Sequence, residues 1–209
     1  MKLAIIVYHK NLSQYPPHWI EKFRQSIVNQ SHKEFDIYEI DYGGGNNRIF
    51  HNSVYNSLKL PNFVEAMNYL LNMCFARGAD VAFNTNCDDW YSENRIEKQL
   101  EYIKKGHELV SSNFSLVKDD IITHTHNFDK LNIAEELDRG NNIICHPVVC
   151  YSRDFWYNNQ YYPDEVPYED MNLWKRALKN GHKFKILPDV LCYHRLHENS
   201  VGHKGGEKL

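Results

Sequence analysis

Two acidic pairs are the side chains of this sequence best placed to do chemistry. Asp88-Asp89 follows an apolar segment at the point where a buried strand would end, and Glu169-Asp170 stands where an amphipathic helix would begin. One carboxylate site at a strand end and another at a helix start would suit a bound metal ion and a general base. Acids at a helix start also cap the helix and complement its macrodipole, so Glu169-Asp170 is open to that simpler interpretation too.

Hydrophobic periodicity predicts the elements that carry these acids. We expect strands at residues 3–8, 35–41, 80–84, 109–114 and 184–193, and helices at residues 18–28, 62–76, 92–103, 153–157 and 168–180. The less regular predictions are a polar excursion at residues 118–127, a strand pair at 142–151 interrupted at Pro147, and a loop at 195–203. Strands that alternate with helices indicate an α/β fold with a mainly parallel sheet, whose ligands bind beyond the carboxyl ends of the strands. Asp41 and Asp88 both fall at such ends.

The composition excludes several classes of protein. It is that of an ordinary globular chain, and 209 residues suit one domain. A formal net charge of -3 without a basic footprint argues against a nucleic-acid partner. The apolar N-terminal run is too short for a membrane span or a signal peptide. Five cysteines at irregular spacing indicate neither a disulfide framework nor a zinc site, which favours the cytoplasm.

Four segments follow one another in a recognisable order. They are residues 4–8 with 25–31 (AIIVY and QSIVNQS), residues 37–44 (IYEIDYGG), residues 86–90 (NCDDW), and residues 168–200, which begin YEDMNLWKRA and end YHRLHENS. These segments resemble the inverting nucleotide-sugar glycosyltransferases of family 2, which have the GT-A fold. The last is the most specific, because it resembles the family pattern E-D-x-d-L-w-l-R that leads to y-R-x-H-x-x-S.

The resemblance spans nearly the whole chain and implies one GT-A domain, a Rossmann-like and mainly parallel sheet flanked by helices. It implies a nucleotide-binding half at about residues 1–90, an acceptor and catalytic half at about 91–200, and a flexible tail at 201–209. It also implies that Asp170 is the general base that takes the proton of the acceptor hydroxyl. Glu169 is expected in the same catalytic site, where it would either hold the acceptor or only complement the helix dipole.

The resemblance further implies a Mn²⁺ or Mg²⁺ ion that binds the donor diphosphate. Asp88 matches the last acid of the family's D-x-D motif. His197 matches the histidine of the closing motif, which could ligate the ion or be an ordinary loop residue. The chain departs from the family at Asn86, which stands where the first acid is expected. One negative charge is lost there, and Asp89 could contribute to binding the ion together with Asp88.

The remaining expected contacts are to the nucleotide sugar. Asp41 resembles the acid that accepts a hydrogen bond from the N–H of the base, which favours uridine over guanosine. The expected nucleotide-sugar contacts are Tyr8, Asp41, Asn68, Asn86, Cys87, Asp88, Arg195 and Ser200. The structural alternatives are an exposed loop acid for Asp41, a packed aromatic for Tyr8 and a hydrogen-bonded buried amide for Asn68.

The sequence therefore predicts a metal-dependent, inverting hexosyl- or N-acetylhexosaminyl-transferase. It would move a sugar from a UDP-sugar to a hydroxyl of a glycan, lipid or protein. The alternative is a non-catalytic sugar-nucleotide-binding module that regulates a partner transferase, which Asn86 keeps open. A nucleotidyltransferase is disfavoured because residues 9–12 lack a glycine-rich, basic phosphate loop. The sequence leaves open whether the protein forms a homodimer.

Overall fold

The computed structural model describes residues 1–197, and these form a mixed α/β sheet with flanking helices. The strands are β1 (Leu3–His9), β2 (Asp36–Asp41), β3 (Val54–Ser57), β4 (Val81–Thr85), β5 (Trp90–Tyr91), β6 (Leu109–Lys118), β7 (Ile121–His126), β8 (Cys150–Ser152) and β9 (Phe184–Arg195). The α-helices are α1 (Pro17–Val28), α2 (Phe63–Ala76), α3 (Arg95–Lys104), α4 (Ile133–Asp138), α5 (Arg153–Asn158) and α6 (Glu169–Lys179).

The strands join in the order β3-β2-β1-β4-β8-β6-β9-β5, and β7 pairs with β6. Strands β1 to β4 pair in parallel with one another, as do β6 and β9. Strands β5, β7 and β8 pair antiparallel to their neighbours. The predicted mainly parallel α/β sheet is therefore confirmed.

Strand β1 shows why helices cover both faces of the sheet. Its residues are almost all buried, as expected for a strand in the middle of a parallel sheet. Ala4 and Ile6 pack with apolar residues of α2 and α6, whereas Leu3, Ile5 and Val7 pack with those of α1 and α3. Within residues 1–197, no helix is both long enough and apolar enough to cross a bilayer.

Strand β7 replaces the polar excursion predicted for residues 118–127. Asp119 and Asp120 form a two-residue turn between β6 and β7, and both have positive φ angles, 52° and 60°. Two consecutive positive φ angles characterise a tight hairpin turn, and Asp tolerates that conformation. The exposed Ile121 and Ile122 begin the hairpin's second strand, so alternation of apolar and polar residues gave no signal for it.

Two other sequence predictions are wrong in detail. The segment predicted as a strand pair at residues 142–151 contains a short 3-10 turn at His146–Val148, and only Cys150–Ser152 forms a strand. Pro147 lies inside that turn, where its fixed φ and missing N–H are tolerated. Arg195, predicted to begin a loop, is the last residue of β9.

A buried arginine ties helix α3 to the strand that leads into the site. Arg95 is 1% exposed, and its guanidinium donates to the Asn84 carbonyl at 2.7 Å and to Gln99 Oε1 at 3.0 Å. Gln99 in turn donates to the carbonyls of Val110 and Val148. Helix α3 therefore connects the end of β4 to β6 and to the 3-10 turn.

We expect Arg95→Met to lower the free energy of unfolding by about 3 kcal/mol, because it leaves buried acceptors without their charged donor. Denaturant unfolding measures this change. The matched control is Arg139→Met, whose side chain is 63% exposed and forms surface ion pairs, so we expect less than about 0.5 kcal/mol. Equal effects of the two substitutions would contradict this account of Arg95.

Candidate functional site

The carboxyl ends of β1, β2 and β4 lie at one edge of the sheet, because these strands pair in parallel. Tyr8, near the end of β1, donates its hydroxyl proton to Asn86 Oδ1 at 2.7 Å. The Asn86 backbone N–H donates to the hydroxyl oxygen of Tyr91 at 2.8 Å. The structure thus brings Tyr8 and Asn86 together and holds Asn86 as a hydrogen-bonded amide.

Two carboxylates tie the loop after β4 to the end of β9. Asp88 Oδ2 lies 2.8 Å from His197 Nε2, and their side chains are only 15% and 11% exposed. Asp89 is buried, lies 3.1 Å from His194 Nδ1 and accepts the backbone N–H of Arg195 at 2.8 Å. Burial alone would lower the pKa of His194, but the Asp89 carboxylate raises it to about 10. Asp89 therefore anchors β9, while Asp88 meets His197.

Arg195 is enclosed by aromatic rings and acids. Its guanidinium lies 4.3 Å from the ring centre of Trp19 and 4.8 Å from that of Trp90. Nη1 donates to Asp120 Oδ1 at 2.8 Å, and Nε donates to the Asp88 carbonyl at 3.0 Å. Arg195 is thus packed against the Asp88 loop and against the β6–β7 turn. Its predicted contact with phosphate stays a prediction.

Asp41 is fully buried at the end of β2, so the alternative of an exposed loop acid is wrong. It accepts hydrogen bonds from Gly43 N at 3.0 Å, Asn47 N at 3.0 Å and Asn47 Nδ2 at 3.2 Å. Burial acts to raise its pKa, but the bonds from Asn47 and Gly43 outweigh burial and keep the pKa below its usual value. Asp41 is therefore an ionised acceptor that shapes the loop at residues 43–47. Its contact with a base stays a prediction.

The second acidic pair begins helix α6. Asp170 Oδ1 accepts the backbone N–H of Met171, the next residue in the first turn of the helix, at 2.6 Å. Its other oxygen, Oδ2, accepts from Asn142 Nδ2 at 2.8 Å. One oxygen of Asp170 is therefore bonded to the helix backbone. The other is oriented by Asn142, which lies outside the helix.

Glu169 has a different environment from its neighbour. It is 6% exposed, and its Oε2 atom is buried without a hydrogen-bond partner among residues 1–197. Burial raises the pKa of Glu169 to about 7, and the charge of Asp170 adds to this effect. Two adjacent carboxyl groups with different environments can perform different acid–base roles.

A cluster of hydrogen-bonded polar side chains between β4 and α6 completes the site. Asn68 on α2 donates to the Tyr161 carbonyl at 3.0 Å, so the alternative of a hydrogen-bonded amide accounts for part of its side chain. His146 Nε2 lies 2.9 Å from the Tyr161 hydroxyl, and Asn84 of β4 donates to the His146 carbonyl at 2.9 Å. Burial lowers the pKa of His146, and the nearby charge of Asp170 opposes this. His146 therefore connects the strand that leads to Asn86 with the acid at the start of α6.

Sequence reasoning identifies neither Asn142 nor His146. Both lie in the apolar segment predicted as strands, where Pro147 is the only sign of a turn. Cys87 is 4% exposed and burial raises the pKa of its thiol, so it is a neutral, packed side chain, and its predicted nucleotide contact stays a prediction. Ser200 lies outside the described residues.

Asp88 and His197 are the described residues that best fit a divalent cation. A carboxylate oxygen and an imidazole nitrogen both ligate Mn²⁺, and a separation of 2.8 Å allows both atoms to face one ion. Residues 1–197 contain no cluster of three or more His, Cys, Asp or Glu side chains that could hold a metal by itself. The other ligands would be diphosphate oxygens and water, as is usual for Mg²⁺ at nucleotide sites.

No protein-family profile matches the chain, but two curated proteins are similar to it in sequence. The amylovoran biosynthesis glycosyltransferase AmsE of Erwinia amylovora is 28% identical over 149 residues, which cover 68% of this chain and 53% of AmsE. The O-antigen biosynthesis glycosyltransferase WbnJ of Escherichia coli is 24% identical over 200 residues, with 84% of this chain and 74% of WbnJ covered. The chain thus spans about half the length of AmsE.

Solved structures share the fold at low sequence identity. S. aureus TarS 1-349 in complex with UDP-GlcNAc matches with a TM-score of 0.74 at 15% identity, over 100% of this chain and 62% of TarS. The mannosyltransferase PcManGT of Pyrobaculum calidifontis, in complex with GDP-Man and Mn²⁺, matches with a TM-score of 0.66 at 13% identity, over 97% of this chain and 59% of PcManGT. The chain is thus similar in sequence to two glycosyltransferases and shares its fold with TarS and PcManGT.

Proposed function

We propose that this protein is a metal-dependent, inverting glycosyltransferase that moves a sugar from UDP to a hydroxyl of an acceptor. The observation that carries this proposal is that two acids, one from each acidic pair, have separate hydrogen-bond partners. Asp170 is oriented by Asn142 at the start of α6, and Asp88 is paired with His197 beyond β4. A base and a diphosphate-binding group at two places around one sheet edge are what an inverting displacement needs.

In the proposed mechanism Asp170 takes the proton of the acceptor hydroxyl as its oxygen attacks the anomeric carbon. The bond between that carbon and the diphosphate oxygen breaks, and its electron pair leaves with UDP. Asn142 keeps the Asp170 carboxylate oriented for the proton transfer. Asp88 and His197 would hold the Mn²⁺ or Mg²⁺ ion, which would supply charge neutralisation for the leaving diphosphate.

The proposed donor and acceptor follow from the site and from the similar proteins. Asp41 is an ionised acceptor at a strand end, which suits the N–H of uracil, and TarS binds UDP and UDP-GlcNAc. AmsE and WbnJ act in amylovoran and O-antigen biosynthesis, which favours a glycan acceptor over a lipid or protein. We propose one domain, with the nucleotide bound by about residues 1–90 and the acceptor by about 91–200. Five cysteine thiols without disulfides suit the cytoplasm.

We expect Asp170→Asn to lower the rate of sugar transfer by about 10²- to 10⁴-fold, because the amide cannot accept the hydroxyl proton. UDP affinity should stay within about twofold of wild type, since the base acts on the acceptor. Transfer assays and calorimetric titration with UDP measure the two effects. The control is Asp164→Asn, an exposed acid just before α6 that should leave both unchanged. A folded Asp170→Asn protein with wild-type transfer activity would refute the base assignment.

We expect Asp88→Asn to reduce the enhancement of UDP binding by Mn²⁺ by about tenfold or more, because one of two protein ligands loses its charge. Titration of UDP at several Mn²⁺ concentrations measures this. Asp36→Asn is the control, because Asp36 is 52% exposed at the opposite end of β2. If UDP binds the wild type equally well with and without Mn²⁺ or Mg²⁺, the metal proposal is wrong.

Glu169 should make stability depend on pH. The folded protein holds a proton on Glu169 up to a pKa of about 7, whereas the ordinary value is 4.5, so the unfolded chain releases it earlier. The free energy of unfolding of the wild type should therefore fall as pH rises from 4.5 to about 7. Relative to wild type, Glu169→Gln should gain about 3 kcal/mol across this window.

Denaturant unfolding at several pH values measures the Glu169 effect. The control is Glu135→Gln, since the Glu135 side chain is 60% exposed on α4 and should give a curve parallel to wild type. A Glu169→Gln curve that also runs parallel to wild type would show that the Glu169 carboxyl titrates normally.

A further inference from the structure

A chain of hydrogen bonds ends at His146 and has no part in the mechanism above. The hydroxyl oxygens of Tyr151 and Tyr161 lie 2.5 Å apart, and the Tyr161 hydroxyl lies 2.9 Å from His146 Nε2. Both tyrosines are almost fully buried. Burial raises the pKa of each phenol above its usual value, so both hydroxyls keep their protons at neutral pH.

The chain has one direction that leaves no hydroxyl proton unpaired. Within residues 1–197, Tyr161 is the hydrogen-bond partner found for the Tyr151 hydroxyl. If Tyr161 donated to Tyr151, the Tyr151 proton would be buried without an acceptor, which is costly. Tyr151 therefore donates to Tyr161, and Tyr161 donates to His146 Nε2.

This direction determines the tautomer of His146. Its Nε2 accepts from Tyr161, and a second donor, Asn84 Nδ2, lies 3.5 Å from the same nitrogen. Burial lowers the pKa of His146 more than the charge of Asp170 raises it, so the ring is neutral at neutral pH. A neutral imidazole whose Nε2 accepts carries its proton on Nδ1.

The Nδ1–H group of His146 is available to a ligand. No hydrogen-bond partner for Nδ1 is found among residues 1–197, and Nδ1 is not one of the buried unpartnered atoms of that region. The His146 residue is partly exposed. Its backbone is bonded to Asn84, two residues before Asn86, and its ring lies within the electrostatic influence of Asp170. The residue that carries this donor is therefore linked to the strand that leads to Asn86 and is close enough to feel the charge of the proposed base.

We propose that His146 Nδ1–H donates a hydrogen bond to a hydroxyl oxygen of the transferred sugar and helps to select that sugar. This inference rests on the proposed glycosyltransferase function. A neutral donor suits a neutral hydroxyl, whereas a diphosphate would favour a cation. The hydrogen bonds from Tyr161 and Asn84 orient the ring, so the donor is preorganised before the sugar binds.

Two substitutions distinguish the nitrogen atoms of His146. His146→Asn keeps an N–H close to the position of Nδ1, whereas His146→Gln places one near Nε2. We expect His146→Gln to lower kcat/KM for the UDP-sugar by about tenfold, and His146→Asn to stay within about threefold of wild type. Both variants should bind UDP alone as wild type does, because the contact is to the sugar. Equal losses, or a larger loss in His146→Asn, would overturn the proposal.

Deoxy donors identify the hydroxyl that His146 contacts. Among UDP-sugars that each lack one hydroxyl, one should lose about tenfold in kcat/KM with wild type and should lose nothing further with His146→Gln. If His146→Gln lowers kcat/KM equally for every deoxy donor, His146 does not read a sugar hydroxyl.

Nitrogen NMR of labelled histidine reports the tautomer without any activity assay. We expect His146 Nδ1 to be protonated and Nε2 to be unprotonated in the wild type. Tyr161→Phe should give a mixture of the two His146 tautomers, because the donor to Nε2 is lost. Tyr162→Phe, at an exposed residue, should leave the tautomer unchanged. A proton on Nε2 in the wild type would overturn the proposal.

A wild type that neither hydrolyses nor transfers any UDP-sugar overturns the proposed function as well. If the wild type is active and His146→Gln is equally active, only the contact of His146 with the sugar is overturned.

Discussion

The proposed donor side of the site depends on the buried carboxylate of Asp89. A buried charge is costly unless it is paired, and here His194 and the Arg195 backbone N–H both meet it. These bonds join the loop after β4 to the end of β9, two elements far apart in sequence. Because β9 ends where Asp89 holds it, His197 reaches Asp88. The pairing that fits a metal ion is therefore a consequence of a neighbouring acid that has no exposed surface to bind one.

The two acidic pairs, Asp88-Asp89 and Glu169-Asp170, are similar in how their members are buried. In each pair one acid is buried, Asp89 in the first and Glu169 in the second, and the other is partly exposed. The buried acids differ in their partners, since Asp89 is fully engaged and Glu169 has an unpartnered oxygen. Burial of Glu169 without a partner is what shifts its pKa to about 7. The partly exposed members, Asp88 and Asp170, are the ones for which we propose a contact with substrate.

Local patterns predicted the framework of the site better than its interior. Strands β1, β2 and β4 and helices α2 and α6 have clear periodicity, and they carry Asp41, Asp88 and Asp170 to the expected positions. The 3-10 turn at His146–Val148 has no such periodicity, because it is only three residues long and its buried residues are Pro147 and Val148. Asn142 and His146 acquire their importance through contacts with α6 and Tyr161, which no local pattern encodes. The β6–β7 hairpin is unpredicted for a different reason, since Asp119-Asp120 carries no glycine to mark the turn that its positive φ angles form.

Asn86 is the point where this site differs most from the family pattern, and its hydrogen bond to Tyr8 indicates what replaces the missing acid. An asparagine that accepts the Tyr8 hydroxyl keeps the loop after β4 attached to β1 without adding charge. Among residues 1–197, the acid proposed to face the ion is then Asp88, whose Oδ2 lies 2.8 Å from His197 Nε2. A single carboxylate attracts a divalent cation weakly, whereas a diphosphate brings additional negative oxygens. We therefore expect the ion and the nucleotide to bind cooperatively, so that each raises the affinity of the other by the same factor. Asparagine in place of an acid at position 86 would therefore change how the ion and the nucleotide depend on each other for binding. It would leave the proposed proton transfer to Asp170 unaffected.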